Sequence, residues 1–459
     1  MSLSDPVVII GLVLASVLAV VGLLRPFVGL LVLILIHFVQ PAELLPALAP
    51  FRVELVYGIL VIVSFVLHRA SGPSRPLFSS RILIGAVLLL GVATLTVPFA
   101  VWRGGALDQT ITLTKLVVIM FLIGTLVDTN KRLRAVVWIL VALLAWYAGS
   151  ALRSYARGEL VFAQDIERAV GVTSVVGDPN ALAGVIVGLL PFLIAAIRFT
   201  RMIAARLLLL SVFPLAIATL IVTGSRASLL ALLAVALYYV LRSKRRVISL
   251  ACLAVVVGLV WIGMPQQYKD RYLTVKSYAQ GGQLDESNEL RLRVWKAGWR
   301  MFLDHPVLGV GAGQFSTAYG TVYSGRTVGP WMQPHNLLIQ VGCEFGLVGL
   351  VIFGYFVFQI VKANRSILRL KGEGSYRLNY EVAVACGALL AGVAIVSVVG
   401  HTLYRPYWYL LGGLVAANRF VADQVEKSEI GRGPSESVGA SLEAGSQPAP
   451  ATVVVNGKT

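Results

Sequence analysis

Residues 333–356 read "QPHNLLIQVGCEFGLVGLVIFGYF". From Leu337 onward the run is apolar enough to cross a bilayer, yet it opens on Pro-His-Asn and carries a carboxylate, Glu344, inside it. An ionisable side chain in hydrocarbon is expensive, so it needs a partner or a task. Pro334 sets the helix start, His335 falls at the mouth of the span, and Asn336 leads into it. Glu344 follows His335 by nine residues, which is roughly 13 Å deeper and about half a turn away on one helix. The two cannot meet along that helix. Glu344 is therefore expected to anchor a neighbouring helix or to shape a polar cavity.

The rest of the chain has the same character. Of 459 residues 57% are hydrophobic and 13% charged, and mean hydropathy is +0.82. Soluble domains hold about 45–50% apolar and about 25% charged residues, so this chain is built for lipid. Its net charge of +17 does not indicate nucleic acid, because the basic residues gather in short connectors between apolar runs, as the positive-inside bias requires. Cys252, Cys343 and Cys386 all sit in apolar runs with no CxxC spacing, so neither a disulfide nor a metal site is indicated. No basic segment precedes the first apolar run, which is expected to be a retained span and not a removed signal.

A spanning helix needs roughly 20 apolar residues. Candidates cover about 7–24, 27–41, 52–67, 82–101, 111–127, 135–152, 179–197, 207–222, 227–241, 247–264, 336–361, 381–400 and 407–421, giving 12–13 transmembrane helices in an all-α integral membrane protein. Basic clusters at 69–81, 131–134, 198–206, 242–246 ("RSKRR") and 362–377 all fall on one side by span counting, expected to be cytoplasmic. The connectors 102–110, 153–178, 223–226, 265–335 and 401–406 are then external.

The large external loop, 265–335, has a pattern of its own. In "SNELRLRVWKAGWRMFLDHP" (287–306) Leu292, Trp295, Trp299 and Phe302 recur at helical spacing, which predicts an amphipathic helix on the membrane surface, capped by Ser287 or Asn288. "GVGAGQF" (309–315) has neither a preceding strand nor a following lysine, so it is expected to be a flexible turn and not a phosphate loop. Beyond 421 the composition turns to Ser, Gly, Glu and Pro, predicting a disordered cytoplasmic tail over 422–459.

Polar residues collect at the external ends of spans. In "GDPNALAG" (177–184) Asp178 and Pro179 make a good helix start, and Asn180 is left as an amide facing the interface. Arg226 heads an apolar helix in "TGSRASLL" (223–230), placed either to snorkel to the interface or to hold an anionic ligand where backbone N–H groups favour anions. Arg291, Arg293 and Arg300 lie on or beside the amphipathic helix, and a guanidinium fork matches phosphate oxygens. His335 can take a proton from a hydroxyl near neutral pH. His401, in "GHTLYRPYWYL" (400–410), competes with it at another external mouth. Asp165 and Glu167 lie close together without forming a metal motif.

Taken together, the "SR" heading one helix, "LRLRVWKAGWRMFLDHPVLGVGAGQF" (290–315) and "PHNLLIQVGCEFGLVGLVIF" (334–353) resemble the O-antigen ligase and polymerase family of bacterial envelope glycosyltransferases. The likeness covers roughly 170–400, and the N-terminal third matches only in hydrophobicity. It divides the chain into N-terminal helices over 1–170 and a catalytic membrane region over 171–421. The resemblance implies a GT-C-like enzyme of the inner membrane whose site faces the periplasm. Such enzymes move a glycan from a polyprenyl diphosphate carrier to lipid A-core, to another carrier-linked glycan or to a protein, with no cofactor and no metal. It also implies His335 as the base and Arg226 and Arg291 as diphosphate holders, with Arg293 the alternative to Arg291. Asn336, Asn180 and Asp178 complete the expected substrate-facing set, and Glu344 is the structural acid of the cavity. The rival reading is a flippase for lipid-linked sugar. That class is expected to show repeated halves and helices broken near mid-membrane, and no internal repeat is visible.

Overall fold

The computed structural model describes residues 6–71, 76–163, 166–270, 273, 286–325, 331–370 and 374–430. Fourteen long helices, counted among these residues, carry almost all of the fold. They are α1 Pro6–Leu24, α2 Pro26–Val39, α3 Val53–Ala70, α4 Arg81–Thr96, α5 Arg103–Leu126, α6 Asn130–Ala156 and α7 Pro179–Phe199. There follow α8 Ile203–Val222, α9 Arg226–Arg242, α10 Arg246–Gly263, α11 Glu286–Asp304, α12 Leu337–Leu368, α13 Arg377–Val399 and α14 Pro406–Ile430. All except α11 occupy the expected spans. Nine helices among the described residues are long and apolar enough to cross a membrane, and α2 is a shorter apolar one. Many large apolar side chains face outward, including Val247 and Ile262 on α10, which buries no residue at all. That surface suits lipid and not water. The protein is an all-α integral membrane protein.

One core of buried residues runs from Leu30 on α2 to Ala417 on α14 and joins the two regions the sequence separates. In the N-terminal region Glu54 accepts from Lys115 at 2.9 Å and is bonded to His37 at 2.8 Å, so the charges on α2, α3 and α5 are paired among themselves. At one end of the bundle Arg198 pairs with Glu381 at 3.1 Å, and Arg377 donates to the Arg198 carbonyl, which brings two basic connectors together. At the other end the remaining connectors bond to one another. Ser174 donates to Glu43, Val101 to the Val310 carbonyl, and Arg405 to the Val175 carbonyl.

Several expectations need correction. Helix α5 begins at Arg103, ahead of 111, because its threonines return their hydroxyls to carbonyls one turn back (Thr110 to Ala106 at 2.7 Å, Thr112 to Asp108 at 3.1 Å). Helix α14 runs past 421 to Ile430, carried by an Arg419–Asp423 pair one turn apart. Residues 431–459 lie outside the described residues. The 153–178 connector holds an antiparallel hairpin, β1 Leu160–Ala163 and β2 Ile166–Ala169, with Val161 opposite Arg168. Asp165 lies outside the described residues.

The largest departure concerns 309–315. This glycine run is not a flexible turn but a strap laid on α12. Inside α12, Gly346 takes φ 64°, ψ −158°, which breaks the helical ladder. The strap takes up the freed groups on both sides. Leu347 N donates to Pro306 O at 2.8 Å and Val348 N to Val307 O at 3.4 Å. In return Val310 N donates to Cys343 O at 2.8 Å and Gly311 N to Glu344 O at 3.1 Å. A buried backbone group left unpaired is costly, so the break and the strap require each other.

Candidate functional site

Helix α11 packs on α12 through small and medium residues. Cys343 Sγ donates to the Gly298 carbonyl at 3.0 Å, and Val294, Met301, Val310, Phe315, Tyr319 and Cys343 form a second, smaller core. The buried face is therefore Val294, Ala297, Gly298 and Met301, offset from the stripe read in the sequence. Leu292, Trp299 and Leu303 face outward, 43%, 62% and 58% exposed, so α11 has a protein face and an apolar outer face. It begins at Glu286, before Ser287 and Asn288.

The remaining stripe residue, Trp295, matters most for the site. Its indole Nε1 donates to the Pro334 carbonyl at 3.0 Å, one residue before His335. On the other side Asn336 caps α12, accepting from Ile339 N at 3.1 Å, while its amide donates to Val398 O at 3.1 Å. Asn336 is thus committed to the backbone on both sides. Between these clamps His335 has φ 45°, the left-handed region. Such a conformation costs about 1–3 kcal/mol in a residue with a side chain and persists only where the surroundings enforce it.

The fold brings the two candidate histidines together. The His335 and His401 rings meet edge to face with centroids 5.5 Å apart. His401 lies in the connector from Gly400 to Arg405, pinned to α12 where Leu403 N donates to Gln340 Oε1 at 3.3 Å and the Tyr404 hydroxyl donates to Glu344. Glu344, 2% exposed, also accepts from Gly313 N at 2.9 Å. The carboxylate in the opening stretch thus fastens the strap and the His401 connector to one helix.

Electrostatics define the neighbourhood. Burial holds the His335 imidazole below its ordinary value; the Arg291 guanidinium adds to this and the Asp178 carboxylate opposes it. His401 is pushed down to about 4, by burial first and then by Arg405 and His335, against Asp178. Both rings are neutral at pH 7. Of the two neighbouring arginines, Arg291 acts electrostatically on His335, whereas Arg293 is exposed and pairs with Glu289 at 2.6 Å. Asp178 caps α7 as expected, accepting from the N–H groups of Asn180 and Ala181 at 2.8 and 3.0 Å.

Arg168 on β2 had no signal in the sequence, where an arginine in a four-residue strand reads as solvated. It is 2% exposed. Its Nε donates to Thr223 O at 2.6 Å, and its guanidinium donates to Asn180 Oδ1 at 3.0 Å. Arg168 thereby ties the start of α7 to the 223–225 turn, which ends on Arg226 at the head of α9. Asn180 is thus occupied by Arg168, and Arg226 follows that turn at the head of α9. Among the described residues no three His, Cys, Asp or Glu side chains converge as a metal-ligand set.

The comparisons with known proteins bear on the same residues. Residues 211–354 match the family model described as O-antigen ligase, a stretch containing Arg226, Arg291, His335 and Glu344. Over that stretch the chain is similar to O-antigen ligases. No curated protein matches the chain. The matched family is one of membrane glycosyl-transferring enzymes of polysaccharide biosynthesis, acting on lipid-linked glycan donors and their acceptors. Within the matched stretch fall α9, α10, α11, the strap and α12 through its break at Gly346, so the match covers the elements that place His335 and Arg291.

The indole clamp gives a direct expectation. Trp295→Phe removes one hydrogen bond, worth about 0.5–1.5 kcal/mol, and frees the carbonyl before His335. Turnover should fall roughly tenfold with the donor KM unchanged, because misplacing a reacting group by a small distance is costly. Steady-state transfer by the purified protein measures both.

Proposed function

We propose that the chain transfers a glycan from a polyprenyl diphosphate carrier to an acceptor hydroxyl at the periplasmic face of the bacterial inner membrane. The observation that supports this most is the clamped, neutral His335 beside Arg291, at the end of the bundle opposite the basic connectors. His335 takes the acceptor proton as the oxygen attacks the anomeric carbon. The bond from that carbon to the diphosphate oxygen breaks, and the lipid diphosphate leaves with the electron pair. Arg291 and Arg226 hold the diphosphate and offset the charge that grows on it. The donor already carries a good leaving group, so neither a cofactor, a metal nor a covalent intermediate is required. Lipid A-core, carrier-linked glycan or protein can each present the hydroxyl.

Purified protein in detergent, where transport has no meaning, should convert carrier-linked glycan when given acceptor lipid extracted from the same cells. No turnover there, together with donor accumulating at the cytoplasmic face of cells lacking the protein, would establish the flippase instead. In the same assay Arg291→Lys keeps the charge but loses the two-pronged fork. Donor use should fall about 10²-fold, within the range seen when a transition-state donor is removed. An equal loss in Arg293→Lys would overturn the assignment to Arg291.

A further inference from the structure

The connector carrying His401 is pinned at nearly every residue. Ser397 and Thr402 share a hydrogen bond at 2.6 Å, and Trp408 Nε1 donates to the Thr402 hydroxyl at 3.2 Å. Leu403 and Tyr404 are fastened to α12, and Arg405 bonds to the Thr402 and Val175 carbonyls. One atom stands apart. His401 Nδ1 is fully buried and has no hydrogen-bond partner among the described residues. Leaving such a nitrogen unpaired costs about 1–3 kcal/mol, a cost that a ligand hydroxyl reaching it would remove. The same ring lies 5.5 Å from the ring of the proposed base.

We propose that His401 is a second substrate-contacting residue, whose Nδ1 hydrogen-bonds a hydroxyl of the acceptor sugar next to the one that His335 deprotonates. This rests on the glycosyltransferase reading above. In a neutral imidazole Nδ1 donates or accepts according to the tautomer, and a hydroxyl can answer it in either role. A diphosphate oxygen only accepts and is better served by guanidinium groups, which the site supplies in Arg291 and, by the reading above, Arg226. Two neutral rings set edge to face can grip two neighbouring hydroxyls of one sugar, so the pair selects how the acceptor is presented. The charged and titratable groups that act on His401 are Arg405, His335 and Asp178, none of which fills Nδ1.

The test uses full-length protein in detergent with carrier-linked donor and acceptor lipid extracted from the same cells. His401→Ala should raise the acceptor KM at least tenfold and leave the donor KM within twofold. His401→Asn, whose amide still donates and accepts, should recover part of that loss. A ring that only packs would change neither KM, or would weaken both together with thermal stability, and either result overturns the proposal. Acceptor binding is also titrated in the inactive His335→Ala background, with and without His401→Ala. Weaker binding in the double variant supports the contact without any turnover, and equal binding overturns it. Wild-type protein that binds acceptor but transfers nothing would refute the glycosyltransferase reading and leave the binding result to judge His401.

Discussion

Replacing His335 with alanine is expected to abolish glycan transfer while the protein still inserts and folds. General-base catalysis is worth about 10²–10⁴-fold, and the ring in contact with His335 is that of His401. Cells carrying the variant should accumulate carrier-linked donor, measured by lipid extraction with protein levels matched to wild type. Undiminished transfer would remove His335 from the mechanism and make His401 the base. A pH profile adds a second reading of the same residue. The base works only when neutral, and burial and Arg291 hold its value below the ordinary 6.5. Its neutral form therefore persists where a solvent-exposed histidine is already protonated. Transfer should stay level as pH falls past 6.5 and decline only as it crosses the depressed value. A decline centred at or above 6.5 would show that the titrating group is not the buried His335.

Gly346→Ala is expected to be the most damaging single substitution for the fold. A Cβ there would lie 2.3 Å from both the carbonyl carbon and oxygen of Val307, and φ is +64°. Relief requires moving the strap, which strands the hydrogen bonds from Leu347, Val348, Val310 and Gly311. Left-handed backbone alone costs about 1–3 kcal/mol outside glycine, and each buried group left unpaired adds about 1–3 kcal/mol. Folded protein recovered in detergent should drop to a small fraction of wild type, read by monodisperse yield and thermal unfolding. Gly354→Ala is the control. It lies on the same helix with nothing within 4 Å of the added methyl, and it should be silent. If both variants behave alike, the kink does not hold the strap.

The helical bundle was legible because an apolar run of spanning length has one stable solution in lipid, whatever its tertiary partners. The polar ends of those runs were legible too, and Asp178 with Pro179 makes the helix start that its residue types predict. What could not be read were contacts between residues distant along the chain. The glycine run looked like slack because the partners of Val310, Gly311 and Gly313 are the carbonyls and carboxylate of residues 343 and 344. Arg168 gave no signal because its acceptors, Thr223 O and Asn180 Oδ1, lie in two other elements. The two histidines looked like rivals, since nothing in a linear sequence brings 335 beside 401. The stripe on α11 misled by one position because both of its faces are apolar.

The strap also decides what the large loop is. Residues 306–311 belong to no helix or strand, and four of their backbone hydrogen bonds run to the broken turn of α12. The loop is thus one half of a joint, and the membrane helix is the other. Cut free of the membrane and expressed alone, it would be a peptide with its central segment unpaired and no fixed place for Trp295 to hold. Antibodies raised against such a fragment would recognise a shape that the intact protein does not present. A ligand selected to pry this joint open would disturb the placement of both histidines at once, because Glu344 fastens the strap and the His401 connector to the same helix.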